Sequence, residues 1–325
     1  MRFISILTLL YLSLYSLEEE DTSYSMILKN VRMSFVRKAL NNLPKRINTN
    51  ILKMCILMNQ EKESLSLNNY EAVYLIYNWI GNNIKRDCSG NIAKSESAVT
   101  AFNQGKSSYI GISSLFSTMV SNLGLKTNTI EGKLKYNSDN INNGQLVEII
   151  DHMWNYVLIN DEYYLFDPTY GSGRCADYSY EYDFSDYFFG TNPQYLIRSH
   201  FPKDSKYQFL KSTVSESQFT SWPYVGKAFY LNGFQTISPD TNIIEISKNL
   251  QITLTYDKSR NLGEICNHIV YKGRRFQFNS CNNCEISNGV FKANFNGNEK
   301  MDYFIMFSGP KENNTKKVVL IYKVK

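Results

Sequence analysis

The residue types able to do chemistry gather in two stretches of the chain. One runs from Asp151 and His152 through Met153-Trp154-Asn155-Tyr156 and, past Asn160-Asp161, to Asp167-Pro168-Thr169. An imidazole whose tautomer is fixed by a carboxylate is the base half of an acyl-transfer triad. The other stretch is Gly105 to Gly124, where Ile112, Leu115, Phe116, Met119, Val120 and Leu123 follow helical spacing. Ser107 or Ser108 can cap that helix and Gly124 can stop it, which places Tyr109 in the first turn. A thiol there would be driven towards thiolate by the helix's partial positive charge and a neighbouring imidazole. A phenol gains far less, because its unperturbed pKa is about 10 against about 8.5 for a thiol, and its oxygen lies well beyond a cysteine sulfur's position.

The elements that must bring these residues together are a hairpin and that helix. His152, Trp154, Tyr156 and Leu158 alternate onto one strand face. Tyr163, Leu165, Asp167 and Thr169 alternate onto one face of the next strand, with Asn160-Asp161 as a two-residue turn. This register sets His152 opposite Thr169 and makes Asp167 its diagonal neighbour, about 7–8 Å away by backbone. The alternative is that His152 is one polar residue on an ordinary hairpin. A second helix is predicted upstream, where Tyr70, Val73, Tyr77, Ile80 and Ile84 form an apolar stripe with Trp79 near its edge.

These motifs together resemble the transglutaminase-like family, in particular its kyphoscoliosis-peptidase type. The pattern there runs from a glycine-preceded Cys at a helix start, through a His-x-Trp-Asn strand, to an Asp-Pro-Thr strand end. The resemblance continues in Ala72 to Ile84 and in Asp186 to Asp204, which contains Pro193, His200 and Pro202, and covers roughly residues 70–222. It implies a papain-like core of helices packed on an antiparallel sheet, followed by a β-rich accessory region. Alignment on Gly105-Lys106 and Gly111 puts the family's Cys at Tyr109, with His152 and Asp167 as the retained triad positions. The resemblance thus implies an enzyme's frame without its nucleophile, with Trp79 and Trp154 as candidates to line the cleft.

Composition bounds the rest. At 325 residues the chain exceeds the usual single-domain size, and 43% hydrophobic and 14% aromatic residues are ample for packed cores. The net charge of +5 is spread out, and pairs such as Lys316-Lys317 or Arg274-Arg275 read as solvated turn residues, so no nucleic-acid partner is expected. Residues 1–17 read as a secretory signal, with Arg2 before an apolar run and Glu18-Glu19-Glu20-Asp21 after it. A secreted product is expected, and a membrane partner only if this leader stays uncleaved. Six cysteines then suggest disulfides of unfixed connectivity, with Cys266 stapled to Cys281 or Cys284 as one option. Zinc on Cys266, His268, Cys281 and Cys284 is the other reading of those residues. No cofactor is expected elsewhere, since Glu181 to Asp186 does not form a calcium loop. Asn313-Asn314-Thr315 is a glycosylation sequon.

The resulting fold class is α+β: a signal at 1–17, a helical lead-in at 18–67 with Met54, Leu57 and Met58 on a packing face, a transglutaminase-like domain at 68–223, and a β-sandwich at 224–325. The sandwich is expected to be immunoglobulin-like, from short alternating runs at 242–247, 251–256, 267–271, 290–294, 303–307 and 317–322. Two functions are compatible with this organisation. One is a secreted pseudoenzyme that binds a protein or peptide through the degenerate cleft or through the sandwich. The other is an active hydrolase or acyltransferase that pairs His152 and Asp167 with another nucleophile such as Ser107, Ser108 or Ser113.

Overall fold

The computed structural model describes residues 24–89, 96–137, 146–176, 178–245, 249–258, 267–272, 275–280, 284–296, 303–308 and 317–325. The predicted signal, the sequon, Cys266 and Cys281, and the side chains of His268 and Cys284 lie outside what is described, and with them the zinc and C-terminal disulfide expectations.

The first α-helices among the described residues are α1 (Met33–Asn42), α2 (Ile51–Ser64) and α3 (Asn69–Asn83). The lead-in is part of the core. Val36, Ala39, Met54 and Met58 are buried in the same cluster as α3, while Leu57 is only partly covered. Helix α3 starts at a capping box, in which Asn68 accepts from the Glu71 backbone and Glu71 accepts from the Asn68 backbone. The buried Glu71 carboxylate also takes the backbone N–H and the guanidinium of Arg32, which ties the lead-in to the domain. Within α3, burial extends from Glu71 to Tyr77 and over Trp79, Ile80 and Gly81, much wider than the predicted stripe. Neighbours cover the helix on several sides, so Trp79 packs in the core and not at an edge.

A short parallel pair, β1 (Lys85–Arg86) and β2 (Lys106–Ser107), brackets α4 (Ala98–Gln104) and leads into α5 (Tyr109–Asn122). Ser108 caps α5 by accepting from Ile110, and Gly124 follows its end at φ +78°. A Cβ at Gly111 would lie 2.1 Å from Ser107 Oγ, so only glycine lets the β2 turn close on the first turn of α5.

The central sheet is antiparallel, in the order β8 (Phe189–Thr191), β5 (Glu162–Phe166), β4 (Val147–Ile159), β3 (Thr127–Asn137), β9 (His200–Pro202). Asn160 and Asp161 both adopt positive φ between the paired Ile159 and Glu162, as the two-residue turn requires. The register is the expected one, with Asn155 opposite Phe166. Strand β5 nevertheless stops at Phe166, and Thr169 is not on it. Pro168, which has no N–H for a ladder and a φ already suited to a helix, opens α6 (Pro168–Ser172) with Asp167 as N-cap. A small hairpin, β6 (Gly173–Ala176) and β7 (Ser179–Tyr182), follows, and the Cys88–Cys175 disulfide pins it to the segment after β1. Cys55 is a free, buried thiol that burial pushes up to about 11, so it does not share the disulfide role expected of the cysteines.

Short helices α7 (Pro193–Leu196), α8 (Glu216–Ser221) and α9 (Lys227–Leu231) lead into the C-terminal strands. These form two sheets. One has the order β10 (Tyr224–Val225), β19 (Lys317–Val324), β18 (Tyr303–Ser308), β14 (Asn267–Lys272), β15 (Arg275–Ser280), with β12 (Ile243–Ile244) pairing β19 in parallel. The other has the order β11 (Phe234–Ser238), β13 (Asn249–Tyr256), β17 (Val290–Asn296), β16 (Cys284–Ser287). Ile252, Leu254, Phe291 and Ala293 of the second sheet and Val319, Leu320 and Tyr322 of the first are buried in one cluster with the core. The C-terminal strands thus form two sheets, in which β12 runs parallel and Arg275, expected in a turn, begins a strand.

Candidate functional site

Helix α5 lies against β4 through specific bonds. Ser113 Oγ donates to Met153 O at 2.8 Å, and Asn155 Nδ2 donates to Ser113 O at 3.0 Å and to Ser117 Oγ at 2.8 Å. This fixes the start of the helix beside His152, whose ring centroid is 5.2 Å from that of Tyr109, edge to face. His152 is 3% exposed and Asp167 0%, and Nε2 of the imidazole meets Asp167 Oδ2 at 2.8 Å. The diagonal placement read from the sequence therefore brings the two together.

The carboxylate has a second imidazole that spacing did not reveal. His200 on β9 places its Nε2 3.0 Å from the same Oδ2, and its Nδ1 lies 2.8 Å from Ser199 Oγ. The other oxygen, Oδ1, accepts the backbone N–H groups of Thr169 (2.9 Å) and Tyr170 (3.1 Å) at the start of α6. Asp167 thus accepts four hydrogen bonds. Burial alone would raise its pKa, but the two imidazoles hold it below the usual carboxylate range. Burial pushes His152 the other way, below its ordinary value and against the pull of Asp167, so the ring is neutral with its proton on Nε2. Nδ1 is then the nitrogen left for a group in the cleft. The chain holds only three histidines, so His200 was open to inspection, but no strand or helix period links it to Asp167.

Arg86 and Tyr170 form the wall behind the pair. The guanidinium lies 4.4 Å from the centre of the Tyr170 ring, and that ring is 5.3 Å from His152. Trp154 is 1% exposed, edge-on to His200 at 5.2 Å, and so packs beneath the cleft without lining it. Trp79 stacks on Phe102 at 5.5 Å and is 2% exposed, away from the cleft altogether.

The cleft itself encloses about 520 Å³ and is bordered by Tyr109, Ile110, Glu131, Gly132, Lys133, Asp151, His152, Met153, Phe201, Lys203 and Glu216. Burial, then the carboxylates of Asp151, Glu96 and Glu131, push the Tyr109 phenol above its ordinary value, so it stays protonated. Glu96, which the sequence reading passed over, accepts from Ser107 Oγ at 2.7 Å, from the Ser108 N–H at 2.8 Å, and from the Ser108 hydroxyl. The three candidate serines are therefore all engaged: Ser107 and Ser108 with Glu96, and Ser113 with the Met153 carbonyl.

Residues 58–168 match the profile of the transglutaminase-like superfamily. The kyphoscoliosis peptidases of Homo sapiens and Mus musculus are each 28% identical over 195 residues, which is 58% of this chain and 29% of theirs. The chain thus spans under a third of the length of these curated relatives. A solved structure of a TGase superposes with a TM-score of 0.28 at 13% identity, over 53% of this chain and 40% of that one. Residues 58–168 are a transglutaminase-like superfamily domain.

Proposed function

We propose that this protein is a secreted pseudoenzyme, which uses the cleft of a transglutaminase-like frame to hold an extended protein or peptide segment without turning it over. The observation that carries the reading is Tyr109. It stands at the first position of α5, in ring contact with the neutral His152, where a cysteine-type triad holds a compact thiolate. Its phenol is held protonated by burial and by three carboxylates. The competing reading, an enzyme with a serine nucleophile, is disfavoured by the bonds that commit Ser107, Ser108 and Ser113 elsewhere. Secretion is supported by the apolar leader and by the Cys88–Cys175 disulfide. Among the described residues no helix is long and apolar enough to cross a membrane.

The direct test is to pass a random peptide library over the immobilised mature chain and to identify by mass spectrometry what is retained. Retention of intact peptides that is lost in Tyr109→Ala supports the reading. Cleaved or newly cross-linked peptides that depend on His152 overturn it.

A further inference from the structure

Three atoms of metal-ligating type converge behind the wall of the cleft. Nε2 of His152 on β4 and Nε2 of His200 on β9 lie 2.8 and 3.0 Å from the same oxygen, Asp167 Oδ2, and all three fall within 4.8 Å of one another. Their side chains are 1% exposed or less. Orienting one imidazole is the task of a triad carboxylate, and the second imidazole on that oxygen is surplus to it. The outer contacts are those that hold metal ligands in place. Asp167 Oδ1 is fixed by the N–H groups of Thr169 and Tyr170, and His200 Nδ1 lies 2.8 Å from Ser199 Oγ, a partner for the N–H that a ring ligating through Nε2 carries. Two neighbours bear buried polar atoms with no partner among the described residues: Trp154 Nε1, on a ring 5.2 Å edge-on from His200, and Thr169 Oγ1, two residues past Asp167. Orphaned groups of this kind mark a water or ion still to be placed. His152 also borders the cleft, which gives an ion a way in.

We propose that His152, His200 and Asp167 bind one Zn²⁺, or a neighbouring first-row divalent ion, in place of the two protons that they share. Two imidazole nitrogens and one carboxylate oxygen suit such ions, whereas magnesium and calcium take oxygen ligands in greater number. Zinc bonds of about 2.0–2.2 Å set tetrahedral ligands about 3.3 Å apart, so the ion parts each nitrogen from Oδ2 by roughly half an ångström. The rings are coordinated in their neutral form, with the proton on Nδ1. The His152 nitrogen left for the cleft thereby changes from acceptor to donor, so the ion alters what the cleft can hold. The site stands on this geometry and does not depend on the binding role given to the cleft above.

The test titrates the mature chain, stripped with a chelator and dialysed, with Zn²⁺ in a calorimeter and with Co²⁺ in a spectrophotometer. The expected result is a Zn²⁺ site with a Kd of about 1 μM or tighter, weakened a hundredfold or more, roughly, in His200→Ala and about tenfold in Ser199→Ala, while Ca²⁺ and Mg²⁺ give no binding heat. Bound Co²⁺ should show the visible bands of a tetrahedral nitrogen and oxygen site without the intense near-ultraviolet band of a thiolate. That separates this site from any ion held by Cys266, Cys281 and Cys284. Circular dichroism checks that the variants fold. Where His200→Ala does not, the cobalt spectrum and the imidazole NMR shifts of His152 and His200 on adding Zn²⁺ decide the matter in the natural chain. No bound ion, a thiolate spectrum alone, or binding unchanged in a folded His200→Ala overturns the inference.

Discussion

Asp167 is the most heavily committed side chain of the site, with four donors on two oxygens and no exposure. Replacing it with asparagine would set an N–H₂ against the imidazole N–H groups or against the α6 backbone, so two buried donors lose their acceptor. Asp167→Asn is expected to lower unfolding stability by about 2–4 kcal/mol in urea melts, with His152 and His200 losing their fixed tautomers by NMR. A change below about 0.5 kcal/mol would contradict the network. The two partners also set an acid dependence. His152 has a folded pKa below its unfolded one, so the unfolded chain takes up its proton first as pH falls through about 6.5, and stability drops from there. Asp167 adds a further loss below about pH 4, because its folded pKa is also depressed. At this scale His152, Asp167 and their diagonal relation were legible because a strand's period of two carries a register across a tight turn. His200 and Glu96 were not, because each reaches the site from a segment whose position only the folded chain defines.

Among the elements, α5 was the most legible: Ser108, the apolar spacing and Gly124 gave its cap, its face and its end. The predicted strand through Thr169 failed at Pro168, where the missing N–H and the Asp167 cap favour a helix start over a ladder. Trp79 was misplaced for a different reason. A stripe locates the face of a helix that packs on one side, whereas α3 is covered nearly all round. The join between β3 and α8 holds a feature no pattern announced. Lys135 is 3% exposed, and its Nζ donates to the carbonyls of Phe219 (2.5 Å) and Trp222 (2.8 Å) at the end of α8. Burial, with Arg198 nearby, lowers its pKa to about 7. Its unfolded pKa lies near 10.4, so between those values the unfolded chain binds the extra proton, and raising the pH stabilises the fold. Urea midpoints between pH 7.5 and 9.5 should rise in the natural chain, with a contribution approaching about 1.4 kcal/mol per pH unit that Lys135→Met lacks. Parallel profiles for the two proteins would show that the amine is not held in this way.

Among the described residues the lead-in helices, the transglutaminase-like core and much of the C-terminal pair of sheets share one buried cluster. The family resemblance implied the α+β core, and the short alternating runs foretold the strands that follow it. The parallel β12 contact and the Cys88–Cys175 pairing depend on long-range placement and were not foreseen. That disulfide closes 87 residues of sequence around α4, α5 and the His-Asp hairpin. Loop closure of that length predicts that Cys88→Ala/Cys175→Ala loses roughly 4 kcal/mol, measured by denaturant unfolding against the oxidised chain. A loss within about 0.5 kcal/mol would mean that the clamp does little for the frame. The central claim concerns what the frame no longer does, and its most direct measurement is turnover of peptide and glutamine-amine substrates by the natural chain, His152→Ala, Tyr109→Cys and the Tyr109→Cys/His152→Ala double variant. The account predicts a silent natural chain and a Tyr109→Cys activity that His152→Ala removes. Turnover by the natural chain that His152→Ala abolishes would contradict it.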